Sequence, residues 1–163
     1  MASQLAKTIP GAVLFACNHN RVRSPMAEGL MKLMFGTRVY VDSCGLKHDE
    51  EGAVDPFAAA VMEELGVDLS RHRPKTFDDL EDDNFDIVVS LTPEAQHRAV
   101  ELSRGRAADI EYWPTHDPTL TDGSREARLA AYRQVRDGLA RRIAERFGDL
   151  AAAPIDLAPD PEV

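Results

Sequence analysis

Residues 12–36 read AVLFACNHNRVRSPMAEGLMKLMFG. The stretch opens with a short, continuous apolar run, residues 12–17, bounded by Gly11 and Asn18. A run of that length between turn signals reads as a buried strand. Met26, Leu30, Leu33 and Met34 then recur at helical spacing over residues 24–35. Ser24 reads as the N-cap, Pro25 as the first helical position and Gly36 as the residue just past the end. The order is strand, six-residue loop, helix.

Outward from there the alternation repeats. Residues 38–43 (RVYVDS) read as a second strand. Asp55 and Pro56 cap and open a second helix, with Phe57, Val61 and Leu65 on one face and Gly66 closing it. Residues 85–91 (FDIVVSL) form a third strand, and residues 92–102 a third helix with Thr92 and Pro93 as its cap pair. Residues 109–113 make a fourth strand. A long last helix, 124–147, places Leu129, Tyr132, Val135, Leu139, Ile143 and Phe147 on its apolar side. Strands alternating with helices predict an α/β fold, a parallel sheet covered on both faces. The acidic run 78–86 reads as a solvated turn or short helix. On the last helix, Arg133, Arg136, Arg141 and Arg142 alternate with Glu126, Asp137 and Glu145, which reads as a solvated, ion-paired face. The domain is expected over residues 11–150, between a flexible N-terminus (1–10) and a disordered, alanine- and proline-rich tail (151–163).

Composition narrows the function. A chain of 163 residues, 44% hydrophobic and 29% charged, suits one globular domain. With 19 basic and 28 acidic residues the net charge is −9, which argues against a general nucleic-acid binder. No run approaches the ~20 apolar residues of a membrane span, and residues 12–17 are too short for the core of a signal peptide. Two cysteines are too few for a disulfide framework and suit a reducing, cytoplasmic setting.

The chemistry concentrates at the first turn. In open parallel sheets ligands bind beyond the carboxyl ends of the strands, and the first strand ends at Cys17. The loop Asn18, His19, Asn20, Arg21, Val22, Arg23, Ser24 can aim several backbone N–H groups at one point. The helix N-terminus adds unpaired donors and the positive end of its dipole. Arg23 brings a fork of donors suited to a tetrahedral oxyanion. Such surroundings favour a thiolate, so Cys17 reads as a nucleophile aimed at the atom whose oxygens the loop holds. A cysteine ending a buried strand is more often a small core residue. The arginine six positions on, inside a strand–loop–helix frame, is what argues otherwise.

Residues 13–29 resemble the phosphate-binding loop of the low-molecular-weight protein tyrosine phosphatase superfamily, which also contains the arsenate reductases of the same fold. The C-x5-R-[ST] pattern after a first strand, with P-M-A-E opening the helix, carries the likeness. VDSCG (41–45), GVDLSRHRPK (66–75) and Asp117-Pro118 after the fourth strand agree with it in order, so that it spans residues 11–148. The resemblance implies a three-layer, four-stranded sheet in the order 2-1-3-4. It implies that Cys17 forms a cysteinyl-phosphate and that Arg23 and the loop from Asn18 to Ser24 hold the phosphate. By the same likeness Ser24 donates a hydrogen bond to the thiolate, and Asp117 serves as acid and then base. Asn20, Ser43 and His72 would form the network that shapes the loop. No metal or cofactor is implied. The substrate would be a phosphorylated protein or a small phosphate ester, and a monomer is favoured.

Two departures bear on the substrate. The segment GLKHDEEGAV (45–54) has no aromatic residue, and Thr119 and Leu120 follow Pro118, so the aromatic walls of a phosphotyrosine slot are missing. EYWPTHDP (111–118) and AYRQVRDGL (131–139) resemble the arsenate-reductase branch. Thioredoxin-coupled members of that branch relay a disulfide through two further cysteines. Here Val22 and Thr92 stand at those places, and residues 92–103 hold no cysteine. An arsenate reductase drawing on an external small thiol is the alternative reading. Cys44 reads as a buried small residue, or as a reversible disulfide partner that would protect Cys17 from over-oxidation. A metal site on Cys17, His19, Cys44 and His48 has spacings unlike those of structural zinc sites.

Overall fold

A computed structural model describes residues 10–82 and 84–148. The expected N-terminal segment, apart from Pro10, and the expected tail lie outside the described residues. Four parallel strands, β1 (Ala12–Cys17), β2 (Tyr40–Gly45), β3 (Ile87–Ser90) and β4 (Asp109–Tyr112), form one sheet in the order β2-β1-β3-β4. The helices are α1 (Arg23–Phe35), α2 (Pro56–Glu63), α3 (Pro93–Ser103) and α4 (Arg125–Phe147).

Alternation along β1 splits the core in two. Val13, Phe15 and Cys17 pack with Met26 and Leu30 of α1, Val61 of α2 and Tyr132 and Ile143 of α4. Leu14 and Ala16 face the other way, with Cys44, Phe77 and Ala95 and Ala99 of α3. Helices therefore cover both faces, as the alternating pattern predicts, three on one side and one on the other. Three of them start on side-chain caps. Asp55 accepts from the N–H groups of Phe57 and Ala58, Thr92 from Ala95 and Ser124 from Ala127.

The second helix ends at Glu63, before Leu65, and the third and fourth strands are shorter than read, at Ile87–Ser90 and Asp109–Tyr112; four further differences bear on the packing. Helix α1 begins one residue early, at Arg23, with Val22 in the N-cap position and no side-chain cap. Ser24 cannot cap it because its hydroxyl is engaged elsewhere, as described below. Leu33 is exposed, since the buried stripe of α1 runs through Met26, Leu30, Met31, Met34 and Phe35. Strand β2 starts later than expected and runs on to Gly45. Residues 36–38 form a tight turn, and the partner strand offers pairing as far as Cys17↔Gly45. Finally, Arg136 and Asp137 are buried rather than solvated. The Arg136 guanidinium donates to Asp137 Oδ1 (2.8 Å), to the Val61 carbonyl (2.7 Å) and to Glu64 Oε1 (2.7 Å), tying α4 to the end of α2.

Candidate active site

The sheet delivers Cys17 to the carboxyl edge of its central strand, and the chain then wraps through residues 18–22 into α1. Among the described residues, the backbone N–H groups of His19, Asn20, Arg21 and Val22 donate no hydrogen bond. Unpaired amides on one short loop, continuous with a helix N-terminus, make an anion cradle. The thiol lies within it, 2% exposed, with Cys17 Sγ 3.0 Å from Ser24 Oγ.

What holds the loop in shape is a set of buried polar side chains. Asn20 is the one non-glycine with a left-handed backbone among the described residues, at φ 57°, a conformation asparagine tolerates better than most residues. Its Nδ2 donates to Ser24 Oγ (2.8 Å) and to Ser43 Oγ (2.9 Å). Its Oδ1 accepts from the Lys75 amide (3.0 Å), and His72 Nε2 lies 3.1 Å from both Asn20 Oδ1 and its backbone carbonyl. With two oxygens facing it, that nitrogen carries the proton. Burial holds the His72 imidazole below its usual pKa range, against the opposing pull of its hydrogen bond to Asn20. The Ser43 hydroxyl donates onward to Glu28.

Sequence reasoning missed three residues that shape this loop. The first is Gly45. A Cβ built there would stand 2.8 Å from Asn20 N and from the His19 carbonyl carbon, and 3.0 Å from the Asn18 carbonyl oxygen. The loop backbone thus lies directly on a glycine surface. A glycine ending a strand is the signal that marks such close approach. The second is Thr92, whose hydroxyl donates to Asn18 Oδ1 (2.8 Å) while capping α3. The third is Asp55, whose amide donates to the Arg21 carbonyl (3.0 Å) and whose Oδ2 accepts from Tyr132 OH (3.0 Å). Removing that hydroxyl leaves a buried carboxylate oxygen unpaired. Tyr132→Phe is therefore expected to cost about 1–3 kcal/mol, measured as a lower urea midpoint at unchanged slope.

A cavity of about 370 Å³ opens over the thiol, lined by Cys17, His19, Arg21, Val22, Arg23, Asp49, Asp55, Asp117 and Thr119. Arg23 donates to the Thr115 carbonyl (3.0 Å) and lies 3.9 Å from Asp117 Oδ2. Asp117 is held by the Thr119 amide (3.0 Å) and hydroxyl (2.7 Å). The Arg21 side chain is engaged along the wall of this cavity, donating to the Ala53 carbonyl (2.6 Å) near Asp49 and Glu51. His19 keeps its Nδ1 buried, without a partner among the described residues.

The structure thus brings Cys17, Arg23 and Asp117 to one cavity and sets Asn20, Ser43 and His72 behind it. It leaves Cys44 out. Both thiols are free, and Cys44 packs in the core on the opposite face of the sheet from Cys17. A disulfide between them would require the backbone to move, because side chains directed to opposite faces cannot meet the required geometry. Burial pushes the Cys44 thiol well above its usual pKa range. Iodoacetamide at neutral pH is therefore expected to modify Cys17 and spare Cys44 in the folded chain, as peptide mass spectrometry would show.

Fold and site together define an α/β protein with a thiol set in an anion cradle, beside an arginine and a carboxylate. Residues 12–153 match the family described as low molecular weight phosphotyrosine protein phosphatase, and the chain belongs to that family. The arsenate reductase of Bacillus subtilis is 31% identical over 133 residues, covering 82% of this chain and 92% of that protein. A glutaredoxin arsenate reductase of Synechocystis is 40% identical over 79 residues, and the match spans 48% of this chain and 58% of that protein. Among solved structures, an arsenate reductase in the phosphate binding state superposes with a TM-score of 0.69 at 29% identity, over 85% of this chain and 98% of that one. The tyrosine phosphatase amsI of Erwinia amylovora shares the fold, with a TM-score of 0.66 at 21% identity, over 90% of this chain and 96% of that one.

Proposed function

We propose that the protein hydrolyses phosphate monoesters through a cysteinyl-phosphate on Cys17. The observation that carries this reading is the placing of a carboxylate, Asp117, over the same cavity as the thiol and beside Arg23. In the first step the Cys17 thiolate attacks phosphorus and the P–O bond to the leaving group breaks. Asp117 gives its proton to the departing oxygen. The amides of residues 18–24 and Arg23 hold the non-bridging oxygens, most tightly as charge spreads in the transition state. In the second step Asp117 takes a proton from water, which attacks phosphorus and releases Cys17 as thiolate. Ser24, 3.0 Å from the sulfur, donates to that thiolate. No cofactor enters either step. A free thiol nucleophile suits the cytoplasm. Phosphorylated proteins and small phosphate esters are the substrate class, and the lack of aromatic walls favours substrates other than a deeply inserted tyrosine ring.

A second reading rests on the curated relatives named arsenate reductase. Arsenate is tetrahedral, as phosphate is, and the same cradle would accept it. Cys17 would displace water from arsenic. An external small thiol would then attack the Cys17 sulfur, releasing arsenite and leaving a mixed disulfide. A second external thiol would restore Cys17. The two electrons that reduce arsenic come from Cys17 and the first thiol, and the relay cysteines of the thioredoxin-coupled route are not needed.

Release of nitrophenol from para-nitrophenyl phosphate separates the two readings. The phosphatase reading expects turnover by the reduced enzyme. In Asp117→Asn it expects kcat to fall about 10²–10³-fold, with loss of the pH limb set by the acid. No turnover of the ester, together with glutathione-dependent arsenite formation, would transfer the assignment to arsenate reduction.

A further inference from the structure

Helix α4 has a glycine in its interior. Gly138 is exposed, and a carbon added there would meet nothing within 4 Å. Glycine is a poor helix former in such a place, and no neighbour among the described residues requires it. The position opens onto a groove of about 390 Å³ between α4 and residues 113–116. Trp113, Val135 and Leu139 form an apolar floor, and His116, Gln134 and Arg142 stand exposed at its edge. No carboxylate lines it. Arg142 holds its guanidinium over the Trp113 ring, 5.2 Å from the centroid, and makes no ion pair with a described residue. Glu145, the next turn along α4, does not line the groove.

We propose that residues 154–160 of this chain (PIDLAPD) dock in the groove, with Ile155 and Leu157 on its floor and Asp156 on Arg142. Residues 149–163 carry Asp149, Asp156, Asp160 and Glu162 and no lysine or arginine, which complements a lining that holds an arginine and no carboxylate. Ile155 and Leu157 fall on one side of an extended segment and Asp156 on the other, and Pro154 and Pro159 suit an extended ligand rather than a helical one. The reach is sufficient. Gly148, at φ 23°, closes α4. Along the helix, Arg142 lies about 9 Å and Gly138 about 15 Å back from it. The seven residues from Gly148 to Ile155 extend to about 23 Å, enough to double back to the groove. With no side chain at Gly138, the backbone of the docked segment can approach the helix closely. The segment then backs residues 113–116, which lead into Asp117 and whose Thr115 carbonyl accepts from Arg23 (3.0 Å). The groove shares no lining residue with the cavity over Cys17, and the proposal does not depend on the reaction assigned there.

The test places a photoreactive benzoylphenylalanine at Leu157 of the full chain, and maps the cross-links by mass spectrometry after irradiation. Cross-links are expected on the peptides holding residues 113–116 and 134–142, in a yield that does not change on dilution. Arg142→Glu is expected to lower that yield at least about threefold, and Asp156→Arg in the same chain to restore it. Independently of the label, Ile155→Ser/Leu157→Ser in the full chain is expected to shift the Gly138 amide and Trp113 indole resonances and leave those of the catalytic loop in place. Cross-links confined to other surfaces would overturn the proposal, as would a double serine variant whose Gly138 and Trp113 resonances match wild type. A yield that falls with dilution would assign the groove to a second copy of the chain instead.

Discussion

Cys17→Ser is expected to lower kcat on para-nitrophenyl phosphate by at least about a thousandfold. Serine keeps the size and shape of the side chain but not an accessible anion, so the attacking group is lost while the cradle remains. The amides of residues 19–22 and the Arg23 guanidinium do not depend on sulfur for their placement. Binding of inorganic phosphate should therefore stay within about threefold of wild type, since the exchange removes no donor to the anion. Steady-state kinetics and calorimetry on the same preparation measure both quantities. A variant that retains a tenth of the activity would mean that another group attacks phosphorus. A variant that loses phosphate binding as well would mean that Cys17 matters for the shape of the loop rather than for its chemistry.

Gly45→Ala is the second large effect. The added carbon would press on backbone atoms of residues 18–20, at 2.8–3.0 Å. Backbone cannot swing aside as a long side chain does, so the loop itself must shift. Overpacking of this kind costs about 1–3 kcal/mol of stability. Displacing catalytic groups by about an ångström costs about a hundredfold in rate. The expected result is a variant that folds, melts lower, and loses about a hundredfold in kcat/KM with Cys17 still present. Urea unfolding and kinetics would check it. Wild-type activity in Gly45→Ala would show that the contact does not set the shape of the loop.

The contrast between these two residues shows where sequence reading works in this protein. Cys17, Arg23 and the helix after them lie within one short segment, where strand pattern, loop length and helix pattern are all local signals. The order of strands and helices was legible for the same reason, because each element carries its own period and punctuation. Gly45 matters only because parallel pairing sets it against Cys17, and that register is a property of the assembled sheet. Asp55 and Tyr132 stand 77 residues apart and meet only once α2 and α4 are packed. The same packing buries Arg136 and Asp137, whose alternation of charge looked like a solvated face. Of the two roles read for Ser24, only the cap fails, for a related reason. Local pattern makes a serine before proline a cap, whereas here its hydroxyl is committed to the thiol, to Asn20 and to the Cys44 carbonyl across the sheet edge. Cys44 shows the limit of counting residue types, since pattern lists two thiols and only the sheet says that they face apart.

The most direct test of the account is to trap the intermediate. The reduced enzyme would be mixed with para-nitrophenyl phosphate, quenched in acid within milliseconds, and digested for mass spectrometry, with Cys17→Ser carried alongside. The account predicts one added phosphoryl group on the peptide containing Cys17, formed as fast as the burst of nitrophenol and absent from the serine variant. Nitrophenol release with no phosphorylated Cys17 at any quench time, or a phosphoryl group on another residue, would contradict it.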